Sequence, residues 1–245
     1  MIRRMIRVPR SQFRETLGQR TLSDRGQVAD LLGCALRRHG CDPITNGPAR
    51  WGFGVIAHPL KVAGPGRRYG IEAIHLGSSD PVIARAIAAL TPADLVLDDA
   101  MPGWELDLRF AELRDEPDLP AGVEVLNGYC ISPIRVTRPL GNGHHEDLTE
   151  LGDDYQDLLN RTMSRRFGRS FQLQLLPDRV YVRSRSGRIS AGFAIKTRPN
   201  GAVVVKLGTA VPISLVGPAN DIRDAWYSGL GRTTALGFGL LGMQS

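Results

Sequence analysis

The residues with the most chemical potential lie late in the chain, where Gly229, Gly231, Gly237 and Gly239 bracket Arg232, Thr233 and Thr234. Glycine takes positive φ without a Cβ clash, so such a run can turn successive amide N–H groups toward one anion. Arg232 adds a forked donor of permanent charge. The run does not read as a dinucleotide fingerprint, since the sequence after it offers no βαβ unit. It also lacks the Gly-Lys-Ser/Thr ending of a nucleoside-triphosphate loop. It predicts a phosphate-facing loop in a nucleic-acid-binding protein, with tight turns as the plainer reading.

Imidazole titrates near neutrality and can give or take a proton, so the five histidines come next. His39 follows Arg37 and Arg38 at the end of a helix-like segment. It is either a group of chemical interest or a half-buried cap continuing the apolar stripe of Val28, Leu32 and Ala35. His58 and His75 lie in strand-like segments and read as structural. His144-His145, beside Glu146 and Asp147, reads as solvated loop, and adjacent histidines in a turn are poor support for a metal site. Cys34, Cys41 and Cys130 are odd in number and lack zinc-site spacing, which predicts reduced thiols.

The charge balance points the same way as the glycine run. Of 31 cations only Lys61, Lys196 and Lys206 are lysines, and the formal net charge is +6. Arginine forks onto phosphate and stacks on bases, although a GC-rich genome would also enrich it. Distribution separates the two explanations: residues 155–206 hold eleven cations against Asp157 and Asp178, a local balance of +9. Codon bias would spread arginines without clearing acids away, so a polyanion-facing surface is expected. No window reaches membrane-span length and no signal-peptide core opens the chain, so the expectation is a cytoplasmic protein without a membrane partner.

These residues need elements to position them. Residues 2–8 alternate as a strand, 27–39 carry apolar residues at helical spacing, and 51–58 and 69–76 read as strands around Gly64-Pro65-Gly66. Asp80-Pro81 caps a helix through Leu90, and extended segments follow at 94–97 and 105–110. That order is β-α-β-β-α-β, a ferredoxin-like module. The Pro- and acid-rich 114–122 is the natural linker, which predicts one domain at 1–118 and another at 123–245. The second half opens with a strand at 129–136 and a helix at 154–167, whose Tyr155, Leu158, Leu159 and Met163 form one stripe. Strands are expected at 170–176, 179–184, 190–197 and 202–207, then a helix at 221–227 and a last strand from 238. The fold class expected is α+β, two tandem ferredoxin-like domains with a C-terminal glycine-rich loop.

The order Ala225-Trp226-Tyr227-Ser228-Gly229-Leu230-Gly231, a basic tip, and Gly237-Phe238-Gly239 entering a strand resembles the glycine-rich signature of the RAMP superfamily. Ser132-Pro133-Ile134-Arg135-Val136 resembles the segment that opens that family's second domain. Within the superfamily the chain is most similar to CRISPR endoribonucleases that process precursor crRNA, and its arginine content is compatible with the type IV enzymes. The resemblance implies cleavage of CRISPR repeat hairpins by 2′-hydroxyl attack, with no metal or cofactor. The products would be a 2′,3′-cyclic phosphate and a 5′-hydroxyl, the mature crRNA being retained with other effector subunits.

Such a reaction needs a base, a proton donor and positive charge for the phosphorane. His39 stands where the family often carries its histidine, and Arg38 and Arg25 follow as phosphorane stabilisers. Arg161, Arg165, Arg166 and Arg169 would lie along the RNA stem, because A-form RNA closes its major groove to base readout and leaves phosphate contacts dominant. Gly229, Gly231, Arg232, Thr233, Gly237 and Gly239 complete the expected RNA contacts. Tyr181, Phe193, Trp226 and Tyr227 read first as core. Two alternatives remain open here: a non-catalytic RAMP-type scaffold on crRNA, and a binder of a small phosphorylated metabolite, which leaves the basic segment unexplained.

Overall fold

A computed structural model describes residues 1–9, 21–22, 25–43, 48–60, 68–97, 106–197 and 201–243. The first half contains β1 (Ile2–Arg7), β2 (Thr21–Leu22), α1 (Arg25–Arg38), β3 (Trp51–Leu60), β4 (Arg68–Ser78), α2 (Pro81–Ala89) and β5 (Glu112–Asp115). β4 pairs antiparallel with β1 and β3, and β1 pairs with β5, giving the order β5-β1-β4-β3 of a ferredoxin-like sheet. α2 starts where its sequence says it must: the Asp80 carboxylate accepts from the amides of Val82 and Ile83, with Pro81 in the first turn.

The second half repeats the plan. β6 (Val125–Cys130), α3 (Asp153–Phe167), β9 (Gln174–Pro177), β12 (Ile213–Val216), α5 (Ala219–Ser228) and β13 (Leu241–Met243) form a sheet ordered β13-β6-β12-β9. Two hairpins are inserted. β7 (Thr137–Gly141) and β8 (His144–Asp147) follow β6, while α4 (Arg179–Ser184) leads into β10 (Ser190–Thr197) and β11 (Val203–Thr209). Each half has its own apolar cluster, and the glycine-rich segment joins them: Ala235 packs in the first core, Leu230 and Leu241 in the second.

Several sequence expectations are corrected. The fourth strand of the first sheet is β5, which runs into the start of the stretch expected to be linker, while 94–97 and 105–110 supply only a bridge between Val96 and Asp107 among the described residues. The segment 179–184 is a helix because Asp178 caps it, accepting from the amides of Val180 and Tyr181. The strand expected at 129–136 is β6, ending before Ser132-Pro133. The connection 116–124 is packed down: the Tyr227 hydroxyl donates to Asp118 at 2.7 Å, and Glu116 is paired with Arg3 and His75. Gly64-Pro65-Gly66, Lys61 and Arg198 lie outside the described residues.

Candidate nucleic-acid interface

The glycine-rich segment is a packed connection between α5 and β13. Gly229, Gly231, Gly237 and Gly239 all have positive φ, as does Thr233. The reason is close backbone approach: a Cβ at Gly239 would collide with the Leu230 carbonyl, and one at Gly231 with the Arg135 carbonyl. The amides of Leu230, Arg232 and Gly239 donate to the carbonyls of Gly239, Arg135 and Pro133, each at 2.8 Å. The four glycines are buried, so they meet protein carbonyls where an anion was expected. Arg232, Thr233 and Leu236 are the residues of the segment that keep partial exposure.

Arg166 organises this connection. It is 6% exposed, and its guanidinium donates to the carbonyls of Ala49, Ser228, Gly229 and Gly231 and to the Thr234 hydroxyl. Burial pushes its pKa down to about 9, which still leaves it cationic at neutral pH. Expected on the RNA face, Arg166 is instead an internal tie between the first domain, α3 and the glycine segment. Arg169 is likewise occupied, pairing with Asp221 and with Asp224 at 2.6 Å. These contacts fix the end of α3, closed by Gly168 in the left-handed region, against α5.

Arg161 and Arg165 stand one turn apart on the exposed side of α3 and make no side-chain hydrogen bond or ion pair among the described residues. They face a cleft of about 470 Å³ whose other walls are Arg232 and Thr233 of the glycine segment and Thr137, Pro139 and His145 of the β7–β8 hairpin. Among the described residues no carboxylate lines it. Arg232 donates to the Thr137 hydroxyl at 3.0 Å, and the hairpin is anchored at Asp147, which accepts from buried Arg135 at 2.8 Å and from the Leu207 amide at 2.9 Å. Partial burial and then the fields of Arg135 and Arg165 lower the Arg232 pKa. The cations outweigh the one carboxylate among them, Asp147, which is already paired with Arg135.

His145 is the residue that the sequence reading passed over. It is exposed on β8, and its pKa is lowered by desolvation and then by Arg232, Arg135, Lys206 and Arg165. Those four cations come from four separate segments, so no local spacing announced them.

The residues expected to be catalytic are not brought together. His39 and Arg38 lie at the C-terminal end of α1 and Arg25 at its start, about 20 Å apart along the axis at 1.5 Å per residue. His39 Nε2 is 3.0 Å from Asp94 Oδ2, which also accepts from the Thr91 amide and hydroxyl. Burial raises the Asp94 pKa, but these hydrogen bonds outweigh it and the net shift is downward. Arg38 donates to the Asp94 and Val96 carbonyls. Arg25 is 5% exposed beneath the glycine segment, stacked 3.7 Å over Phe193, and burial lowers its pKa to about 10. Trp226 and Tyr227 belong to the core, as expected, and Phe193 packs edge-on to Phe238.

Among the described residues no group of three or more His, Cys, Asp or Glu could hold a metal ion, and no helix is long and apolar enough to cross a membrane. No family model and no curated protein matches the sequence. Solved structures do match the fold. An RAMP protein that binds different RNA substrates is 15% identical over 100% of both chains, with a TM-score of 0.67. A Cas6-related protein from Pyrococcus furiosus is 13% identical over 100% of this chain and 98% of its own, also with a TM-score of 0.67. CRISPR-associated protein Cas6 is 12% identical over 100% and 99%, with a TM-score of 0.58. The architecture built above, two ferredoxin-like units, thus shares its fold with these RAMP and Cas6-related proteins.

Proposed function

We propose that the protein is an endoribonuclease that binds CRISPR repeat RNA hairpins and cleaves them by attack of a ribose 2′-hydroxyl on its own phosphate, without a metal. The observation that carries this reading is the cleft between α3, the glycine segment and the β7–β8 hairpin, walled by Arg161, Arg165 and Arg232 with no carboxylate lining it among the described residues. A phosphodiester backbone supplies the missing charge, and arginine forks match its oxygens. The contacts are Arg161, Arg165, Arg232 and Thr233; Arg166 and the glycines hold the wall in place. The mature crRNA stays bound as part of an effector complex. His39 with Arg38 is the catalytic pair that the family resemblance implies, and Arg25 supports the loop from below.

A second reading, a non-catalytic crRNA scaffold, is favoured by one observation: His39 and Arg38 lie at the opposite end of α1 from Arg25. One experiment decides between the two. The purified protein is incubated in excess chelator with the repeat RNA of its own host, beside copies carrying 2′-deoxyribose at each nucleotide in turn. A single cut that survives chelation and disappears with one deoxy substitution is the expected result. Tight binding without a cut overturns the enzyme in favour of the scaffold, and the absence of both overturns the RNA reading.

A further inference from the structure

We propose that the general base of the cleavage reaction is His145, on the β7–β8 hairpin of the second domain. The inference rests on the endoribonuclease reading above and assigns its chemistry to the cleft itself. In an antiparallel hairpin successive side chains face opposite ways. His145, paired with Pro139, lines the cleft together with that proline, while its neighbour His144 does not. The hairpin that carries it is held from two sides, by Asp147 on Arg135 and the Leu207 amide, and by Arg232 on Thr137. An imidazole on such a support meets the phosphate that Arg165 and Arg232 attract.

The charges around it suit the role. Arg232 faces it from the glycine segment, Arg135 from the connection between β6 and the hairpin, Lys206 from β11 and Arg165 from α3. The nearby acids are already engaged, Asp147 with Arg135 and Glu146 with Arg138. With its pKa lowered from 6.5, the imidazole is neutral at pH 7, the form a base must have. In the step, the 2′-hydroxyl proton passes to His145 as the O2′–P bond forms. The P–O5′ bond breaks, the 5′-oxygen takes a proton from solvent water, and the imidazolium returns its proton to solvent. The arginines hold the charge of the phosphorane. His39 differs in both respects, hydrogen-bonded to a carboxylate and absent from the lining of this cleft.

The test is single-turnover cleavage of the host repeat RNA at saturating protein from pH 5 to 8, for wild type, His145→Ala, His144→Ala and His39→Ala, with RNA affinity measured alongside. Wild-type rate is expected to fall on the acid side of a pKa below 6.5. His145→Ala should cut ~10²–10⁴-fold more slowly with affinity retained, lose that acid limb, and recover activity with added imidazole. His144→Ala should cut at the wild-type rate. A His145→Ala variant that cuts normally, or slows only as its affinity drops, overturns the assignment and leaves the endoribonuclease reading standing; loss of cutting in His39→Ala alone would then move the base to the first domain. Wild-type protein that binds and never cuts overturns both.

Discussion

At the end of α1, His39 and Arg38 close onto the oxygens of one neighbouring turn, a carboxylate for the imidazole and two carbonyls for the guanidinium. In the cleft beside α3, Arg161, Arg165 and Arg232 face one another and His145, and no carboxylate lines it among the described residues. Both corners looked alike as residue types, a histidine with arginines. The first has partners for its imidazole and its guanidinium within the fold. The second is electrostatically incomplete, and an anion lowers its energy. The same division runs through α3: Arg166 and Arg169 are satisfied internally, Arg161 and Arg165 are not.

The largest effect that would break this division is at Arg166. Replacing it with leucine strands the carbonyls of Ala49, Ser228, Gly229 and Gly231, and each buried orphan costs ~1–3 kcal/mol. Denaturant unfolding should therefore lose more than about 3 kcal/mol. Full stability with lost RNA affinity would instead make Arg166 a ligand contact. Next come Arg161→Ala and Arg165→Ala, which should each flatten the slope of log K against log salt by ~1 while leaving stability within ~0.5 kcal/mol. Arg169→Ala should do the reverse, lowering stability through the lost Asp221 and Asp224 pairs with the salt slope intact. If all three behave alike, the division within α3 is wrong.

The smallest effect sharpens the first corner. The Asp94 pKa lies below the ordinary 3.8, so the stability it contributes is complete above that value and is lost as pH falls through the lowered one. Asp94→Asn should cost ~1 kcal/mol at pH 7 and progressively less as the pH falls below 3.8, read as Tm against pH. A cost that does not change with pH would show that the Asp94 charge is irrelevant to the corner.

Part of the architecture was legible because burial imposes period on the sequence: the stripe of α3, the Asp80-Pro81 start of α2 and the opening β-α-β-β-α run follow from it, whereas β12, an inner strand of the second sheet, was not among the strands expected. β5 was hidden because Glu-Leu-Arg-Asp is an edge strand whose charged residues face solvent, and so it reads as linker. Arg-Val-Tyr-Val-Arg-Ser alternates like a strand over too few residues for period to decide, and the Asp178 cap tips it to helix. Arg166 left a signal that went unread: it stands three residues after Met163 and seven after Leu159, on the buried stripe itself. His145 left none, since its cationic neighbours reach it only through tertiary structure. Glycine spacing likewise reports that the chain needs positive φ, without reporting which oxygens its amides will meet.

The Arg166 tie gathers Ala49, early in the chain, and the stretch from Ser228 to Thr234, late in it, around one side chain in between. A ribosome delivers these in that order. The helix that bears Arg166 therefore emerges with a cation only partly solvated by its own protein, and the cleft lacks a wall until the glycine segment has left the exit tunnel. A chain stalled before Ser228 carries the arginines of α3 without the segment that walls them into a cleft, so the cleft exists only once translation is nearly complete.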